Sequence, residues 1–264
     1  KYSIDNNLIS PLTRIILGYA TGIGLLGFGI KLKEKFESYS AVLVSGAMAI
    51  FYFITYFTYA FYGLIPQIMA FALMVVFTIF TVFAALKYNR SVIAIIGLVG
   101  AYAVPFLLSK NSGNVTTLFT YITIINLGIL AVSIKKYWKS LYYVSFIFTW
   151  LIYAFWHFDS YYLDEAKIKT IGLVFATIFF LMFYAVAITN RIIQKEKLVK
   201  TDIILLLLNS FIYFGLGYGI LQAGSTAPYL GLFTLLNALI HFGVGYIIKT
   251  KKIADQNLFY LVIG

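Results

Sequence analysis

The sequence predicts a polytopic bundle of transmembrane α-helices, all-α in class, and three observations lead there. Of 264 residues, 62% are hydrophobic and only 11% charged, and the mean hydropathy is +0.92. A soluble domain carries about 25% charged residues, so this chain lacks the polar side chains to cover a globule. Its charges are also segregated, with long charge-free runs between short charged connections. Those connections alternate between rich and poor in Lys and Arg. Composition thus excludes a soluble enzyme, a disordered tail and, with no cysteine, a disulfide-stapled secreted domain. The unbroken apolar runs exclude a β-barrel, whose strands would be short and alternating.

The elements follow from the charge-free runs in order. These extend over 15–30, 38–86, 91–109, 111–134, 140–158, 170–190 and 203–248. A membrane crossing needs about 20 apolar residues, so the second and last runs are each too long for one helix. Each carries a breaker near its middle: Gly63-Leu-Ile-Pro66-Gln67 in the first, Gln222-Ala-Gly-Ser-Thr-Ala-Pro228 in the second. Proline and clustered small polar residues mark turns, and each run reads as a helical hairpin. Nine complete spans result, near 13–30, 41–64, 67–86, 91–108, 115–134, 140–157, 169–189, 203–222 and 229–248. The apolar stretch Asn257 to Gly264 reads as the start of a tenth. Lys1 opens no signal peptide, and the chain, one transmembrane domain over 1–264, is expected to be an interior section of a larger protein.

Orientation follows from the bases, because Lys and Arg concentrate on the cytoplasmic side. Of the 20 Lys and Arg, only Lys1, Arg14, Lys110, Lys167 and Lys169 fall on one side of the alternation. The other fifteen fall on the opposite side. The amino end and the connections 63–67, 109–114, 158–168 and 222–228 are therefore expected to face outward. The net charge of +11 is explained by this topology and by attraction to anionic headgroups. No nucleic-acid partner is implied, since the loops are too short to form a basic surface.

A weak internal repeat accompanies this plan. Gly97-Leu-Val-Gly-Ala-Tyr followed by Ile125-Asn126-Leu reads like Gly215-Leu-Gly-Tyr-Gly followed by Leu236-Asn237-Ala. A four-helix unit repeated in one orientation would produce it, and so would chance in so apolar a chain.

Several longer segments carry a resemblance. They are Lys1-Tyr-Ser-Ile-Asp-Asn-Asn-Leu-Ile-Ser-Pro, Leu17-Gly-Tyr-Ala-Thr-Gly-Ile-Gly-Leu-Leu-Gly, Gly97-Leu-Val-Gly-Ala-Tyr-Ala-Val-Pro-Phe-Leu-Leu-Ser and Leu205-Leu-Leu-Leu-Asn-Ser-Phe-Ile-Tyr-Phe-Gly. In this order they resemble the bacterial predicted membrane proteins called domain of unknown function 2339. The family pattern has a glycine pair and a Thr-Pro near the fourth span; this chain has Gly100-Ala101 and Val104-Pro105, so no role of that threonine carries over. The resemblance implies a multi-pass location in a bacterial inner membrane and larger relatives with more spans. It supplies no activity.

Chemistry has few places to reside. Inside the spans there is no mid-depth Asp, Glu, Lys or Arg, and His241 is the one ionisable candidate other than tyrosine. At 100° per residue, Thr234, Asn237, His241 and Gly245 share one face of the ninth span. That face is either the polar lining of a substrate path or interhelical glue; a lone His without an acid makes a poor relay, which favours glue. Asn126 and Asn209 each sit in an apolar span and need a partner there. His157-Phe-Asp159 with Asp164 and Glu165 forms the acidic outward loop, but its spacing matches no zinc motif. Gly18, Gly22 and Gly29 on the first span, and Gly97 on the fourth, are small residues that let helices approach closely. No cofactor, metal site or catalytic residue is indicated.

The leading functional expectation is non-enzymatic: binding or transport of a lipid, lipid-linked or small amphipathic substrate, with membrane lipids as partners. The alternatives are a scaffold for cell-envelope proteins and a membrane enzyme whose active site lies outside this section. Transport requires a cavity that joins the polar faces of several helices, whereas a scaffold packs solid and presents an apolar groove. The topology is testable because the chain has no cysteine of its own. Single cysteines at Ser112 or Ser225 are expected to react with an impermeant thiol reagent in intact cells. Cysteines at Lys136 or Lys197 should react only after permeabilisation, and the opposite labelling would invert the topology.

Overall fold

The computed structural model describes residues 9–108, 115–136, 138–160, 166–222 and 224–254. Among them are nine α-helices and no strand. They are α1 (Pro11–Leu32), α2 (Glu37–Ala60), α3 (Gln67–Tyr88), α4 (Ser91–Leu108), α5 (Val115–Lys135), α6 (Lys139–Ser160), α7 (Ala166–Gln194), α8 (Lys200–Leu221) and α9 (Leu230–Lys251). A 3₁₀ turn over Gly224–Tyr229 leads into α9. The chain is a helical membrane bundle. Eight of the helices are long and apolar enough to cross a membrane, one fewer than the nine complete spans expected. The exception is α4, whose apolar stretch is described over Ser91–Leu107, with residues 109–114 after it outside the described ones. A charge-free run records only where charges are missing; it does not measure the helix within it, and Pro105 lies near the end of this one. The stretch Asn257 to Gly264, read as a tenth span, lies outside the described residues.

The breakers act through the backbone. After α2, Gly63 adopts φ +59, a left-handed value that a side chain disfavours. Its N–H reaches back to the Tyr59 carbonyl at 3.2 Å. Pro66 then precedes the first residue of α3, at the place where a helix tolerates a missing N–H. At the other end of α3, Asn89 takes the left-handed cap and donates to the carbonyls of Ala85 and Leu86. Helix α1 begins at Ser10, whose hydroxyl accepts from the Thr13 N–H at 3.2 Å.

Two compact units emerge. Helices α1–α4, with Trp138–Val144, form the first. There α1 lies closely on α2, α3 on α4, and α2 against both α3 and α4. Its core is Ala47, Met48 and Phe51, with Tyr19, Leu25, Leu26 and Phe77 around them. Hydroxyl pairs tie the helices: Tyr19 to Thr55 at 2.8 Å, Ser40 to Tyr88 at 2.9 Å, and Tyr52 to Thr78.

The second unit holds α5, α7, α8, α9 and α6 from Ser145 onward. Its close helix pairs are α5 with α7 and α7 with α8, so the tight α1–α2 pairing has no counterpart in α5 and α6. Aromatic rings fill the space instead: Phe119, Tyr153, Trp156 and Phe179 form one cluster, and Phe180 stacks on Tyr213 with centroids 4.2 Å apart.

An ion pair locks the α7–α8 hairpin. Arg191 donates to Asp202 at 2.6 Å and also pairs with the exposed Glu196. The Arg191 and Asp202 side chains are 3% and 2% exposed. The same Asp202 oxygen accepts the Val199 N–H at 3.0 Å, which closes the first turn of α8. Removing one member of a buried pair costs about 3–5 kcal/mol. Because Glu196 retains part of the guanidinium, Asp202→Ala is expected near the lower end, about 3 kcal/mol, read as a lowered unfolding transition in detergent. The double change Arg191→Met with Asp202→Leu should recover most of that loss.

Candidate functional site

The apolar spans of the second unit carry polar side chains near their midpoints, where no water is available to satisfy them. Asn126 of α5 is buried and donates through Nδ2 to the Thr149 hydroxyl of α6 at 3.1 Å. The next residue on α6, Trp150, donates its indole N–H to Oδ1 of Asn209 at 3.0 Å. Asn209 lies on α8, fully buried, and its Nδ2 donates to the Phe180 carbonyl of α7 at 3.0 Å. One asparagine thus joins three helices. On α9, His241 shares hydrogen bonds with the Ser210 hydroxyl of α8 at 2.6 Å and the Tyr184 hydroxyl of α7 at 3.1 Å. Tyr213 and Thr177 add a further tie between α8 and α7 at 3.0 Å.

The face of α9 that the sequence groups together is divided by the packing. His241 is half-buried and Gly245 buried, Asn237 is half-buried, and Thr234 is exposed. Thr234 donates only to the Leu230 carbonyl of its own helix. The Asn237 carbonyl oxygen has no hydrogen-bond partner among the described residues. Ser210 and His241 stand at the distance of a nucleophile and its base. The third group is a tyrosine hydroxyl rather than a carboxylate, and the helical N–H groups around Ser210 are engaged within α8. The arrangement works as a tie between three helices.

The four glycines read as packing residues have neighbours close by. A β-carbon at Gly18 would collide with Ile54, one at Gly22 would come within 2.5 Å of Phe51, and one at Gly29 within 3.0 Å of Val44. At Gly97 it would meet Thr81 at 2.6 Å. Gly100, Gly172 and Gly217 are equally crowded, by Tyr52, Trp156 and Phe233. Among the acidic residues of the 158–168 connection, Asp164 and Glu165 lie outside the described residues, as does the Asp159 side chain.

An apolar groove of about 800 Å³ runs between α6 and α8. Phe146, Trp150, Leu151, Ala154 and Phe158 form one wall, and Phe211, Ile212, Gly215, Leu216 and Gly219 the other. From Phe146 to Phe158 it follows α6 for about 18 Å at 1.5 Å per residue. Its polar side chains beyond Trp150, His157 and Gln222, stand together at the end nearest the α6 carboxyl terminus. The space opens at glycine: a β-carbon on Gly215 would meet nothing within 4 Å, and one on Gly219 only His157 at 3.5 Å. Trp150 belongs to both features, its N–H held by Asn209 while its ring lines the groove. Asn126, Asn209, Thr234, Asn237 and His241 do not line it.

The family of predicted membrane proteins called domain of unknown function 2339 matches residues 1–260. The chain belongs to this family. No curated protein and no solved structure matches it. In this member of domain of unknown function 2339, sequence alone singles out Asn126, Asn209 and His241 but not their partners. Thr149, Trp150, Tyr184 and Ser210 are common residues in membrane helices, and only the packing shows which of them face an amide or imidazole.

The network makes a graded prediction. Asn209→Leu removes the bonds to the Trp150 N–H and the Phe180 carbonyl, and should lower unfolding stability in bicelles by about 2 kcal/mol, two interhelical hydrogen bonds at about 1 kcal/mol each. Thr234→Val removes only a bond within its own helix and should leave the same transition unmoved.

Proposed function

We propose that this membrane protein binds an amphipathic lipid or lipid-linked molecule, with hydrocarbon in the α6–α8 groove and the polar head beside His157 and Gln222. The groove carries the reading. Ligand sites typically occupy about 300–1,000 Å³, mostly apolar and aromatic with a few placed polar groups, and this one is apolar along its length and polar at one end. On the charge count, that end belongs to the outer leaflet of a bacterial inner membrane. Binding is favoured over movement through the bundle, because the described mid-span polar groups spend hydrogen bonds on one another.

One observation favours a second reading, a scaffold for envelope proteins. Gly215 and Gly219 make a small-xxx-small pair whose surface is open, the pattern on which a partner helix packs. Photo-crosslinking separates the two. In nanodiscs containing a phospholipid with a diazirine in its acyl chain, adducts are expected on Phe146–Phe158 and Phe211–Gly219. Gly215→Leu fills open space and should abolish these adducts while leaving the unfolding transition unchanged. Adducts spread evenly over exposed residues such as Leu12 and Phe28 would refute the lipid reading. A peptide crosslinked in the groove in native membranes would favour the scaffold.

A further inference from the structure

A second groove, in the α1–α4 unit, combines an apolar slot with a basic end. It measures about 460 Å³ and lies between α2 and the start of α4. Its floor on α2 is made of small residues, Ala41, Ser45, Gly46 and Ala49, opposite Ile93 and Ile96 on α4. A β-carbon at Gly46 would meet nothing within 4 Å, so the slot has unoccupied depth at that point. At one end stand Ser38 and Arg90, where Arg90 Nη2 donates to the Ser38 hydroxyl at 3.0 Å. Arg90 is exposed, and it forms no ion pair among the described residues although Glu34 and Glu37 belong to the same end of the unit.

The surrounding charge is basic on balance. Lys33 donates to the Lys87 carbonyl at 3.2 Å and sits 4.5 Å from the centre of the Tyr88 ring. Lys87 itself is exposed. An apolar slot that ends in a guanidinium and a hydroxyl matches a molecule with a hydrocarbon tail and a negative head. A cation at the headgroup level attracts anionic lipid, and a guanidinium can bond two phosphate oxygens at once.

We propose that this groove is a binding site for an anionic phospholipid, with one acyl chain along Gly46 and the phosphate held by Arg90 and Ser38. It is a separate site from the α6–α8 groove and stands without it. The occupant is a membrane lipid rather than a soluble phosphate because the slot behind the basic end is apolar.

The test uses native mass spectrometry of the whole chain with phosphatidylglycerol or phosphatidylcholine of the same acyl chains. The wild type should retain one phosphatidylglycerol about fivefold more tightly than phosphatidylcholine, the effect of one basic residue on an anionic head. Arg90→Gln should remove that preference, and Gly46→Leu should remove retention of both lipids at this site. Lys87→Gln, which changes a nearby charge outside the groove, should retain the preference. Equal retention of the two lipids by the wild type would overturn the proposal. So would an equal loss from Lys87→Gln and Arg90→Gln, which would mean diffuse charge attraction. Competition by glycerol phosphate as strong as by the intact lipid would show a phosphate site instead. Arg90 is exposed, so Arg90→Gln keeps the test open even where Gly46→Leu fails to fold.

Discussion

A polar group placed in hydrocarbon has to be satisfied by protein, and the second unit is arranged around that requirement. Asn209 meets it for three helices at once, accepting from Trp150 on α6 and donating to the Phe180 carbonyl on α7. Each bond is worth only about 1 kcal/mol, but its geometry is specific. Sliding α8 by one turn would bury an unpaired amide and an unpaired indole N–H together. The bonds therefore fix register more than they add stability. Trp150 passes that register on, because the indole that Asn209 holds is also part of the groove wall.

The two units solve helix packing in opposite ways. In the first, glycines under Ile54, Phe51 and Thr81 let backbones come close, and dispersion between large apolar neighbours holds α1, α2, α3 and α4 together. In the second, rings such as Phe119, Tyr153 and Trp156 hold helices apart while filling the gap. Where rings on α6 face glycines on α8 the gap stays open, and the groove results. The open glycines that line the two grooves, Gly46 and Gly215, differ from the packing glycines in what lies opposite them.

That difference explains which features could be read from sequence. The hairpin after α2 was legible because Gly63 and Pro66 act through their own backbones. So was the need of Asn126 and Asn209 for partners, since amides in apolar spans have few choices. Helix faces were not legible. In water an amphipathic stripe separates core from surface, but here both are apolar: Phe119 is fully buried and Phe155 is 75% exposed. For the same reason the sequence did not show that Thr234, on the same face as His241, is exposed while His241 is half-buried. The Arg191–Asp202 pair was hidden differently, because each residue looks like an ordinary loop charge until the hairpin closes.

That hairpin has one further link, the Leu198 N–H to the Ile253 carbonyl at 2.6 Å, between two buried residues far apart in the chain. Leu198 precedes α8 and Ile253 follows α9, so the bond forms only after both helices have been synthesised and inserted. The Arg191–Asp202 contact joins residues 11 apart and can form as α8 emerges. Chain order alone therefore makes the Arg191–Asp202 contact available to the hairpin before the exit of α9. A ribosome stalled before Ile253 would leave the hairpin with that contact available but without the backbone tie.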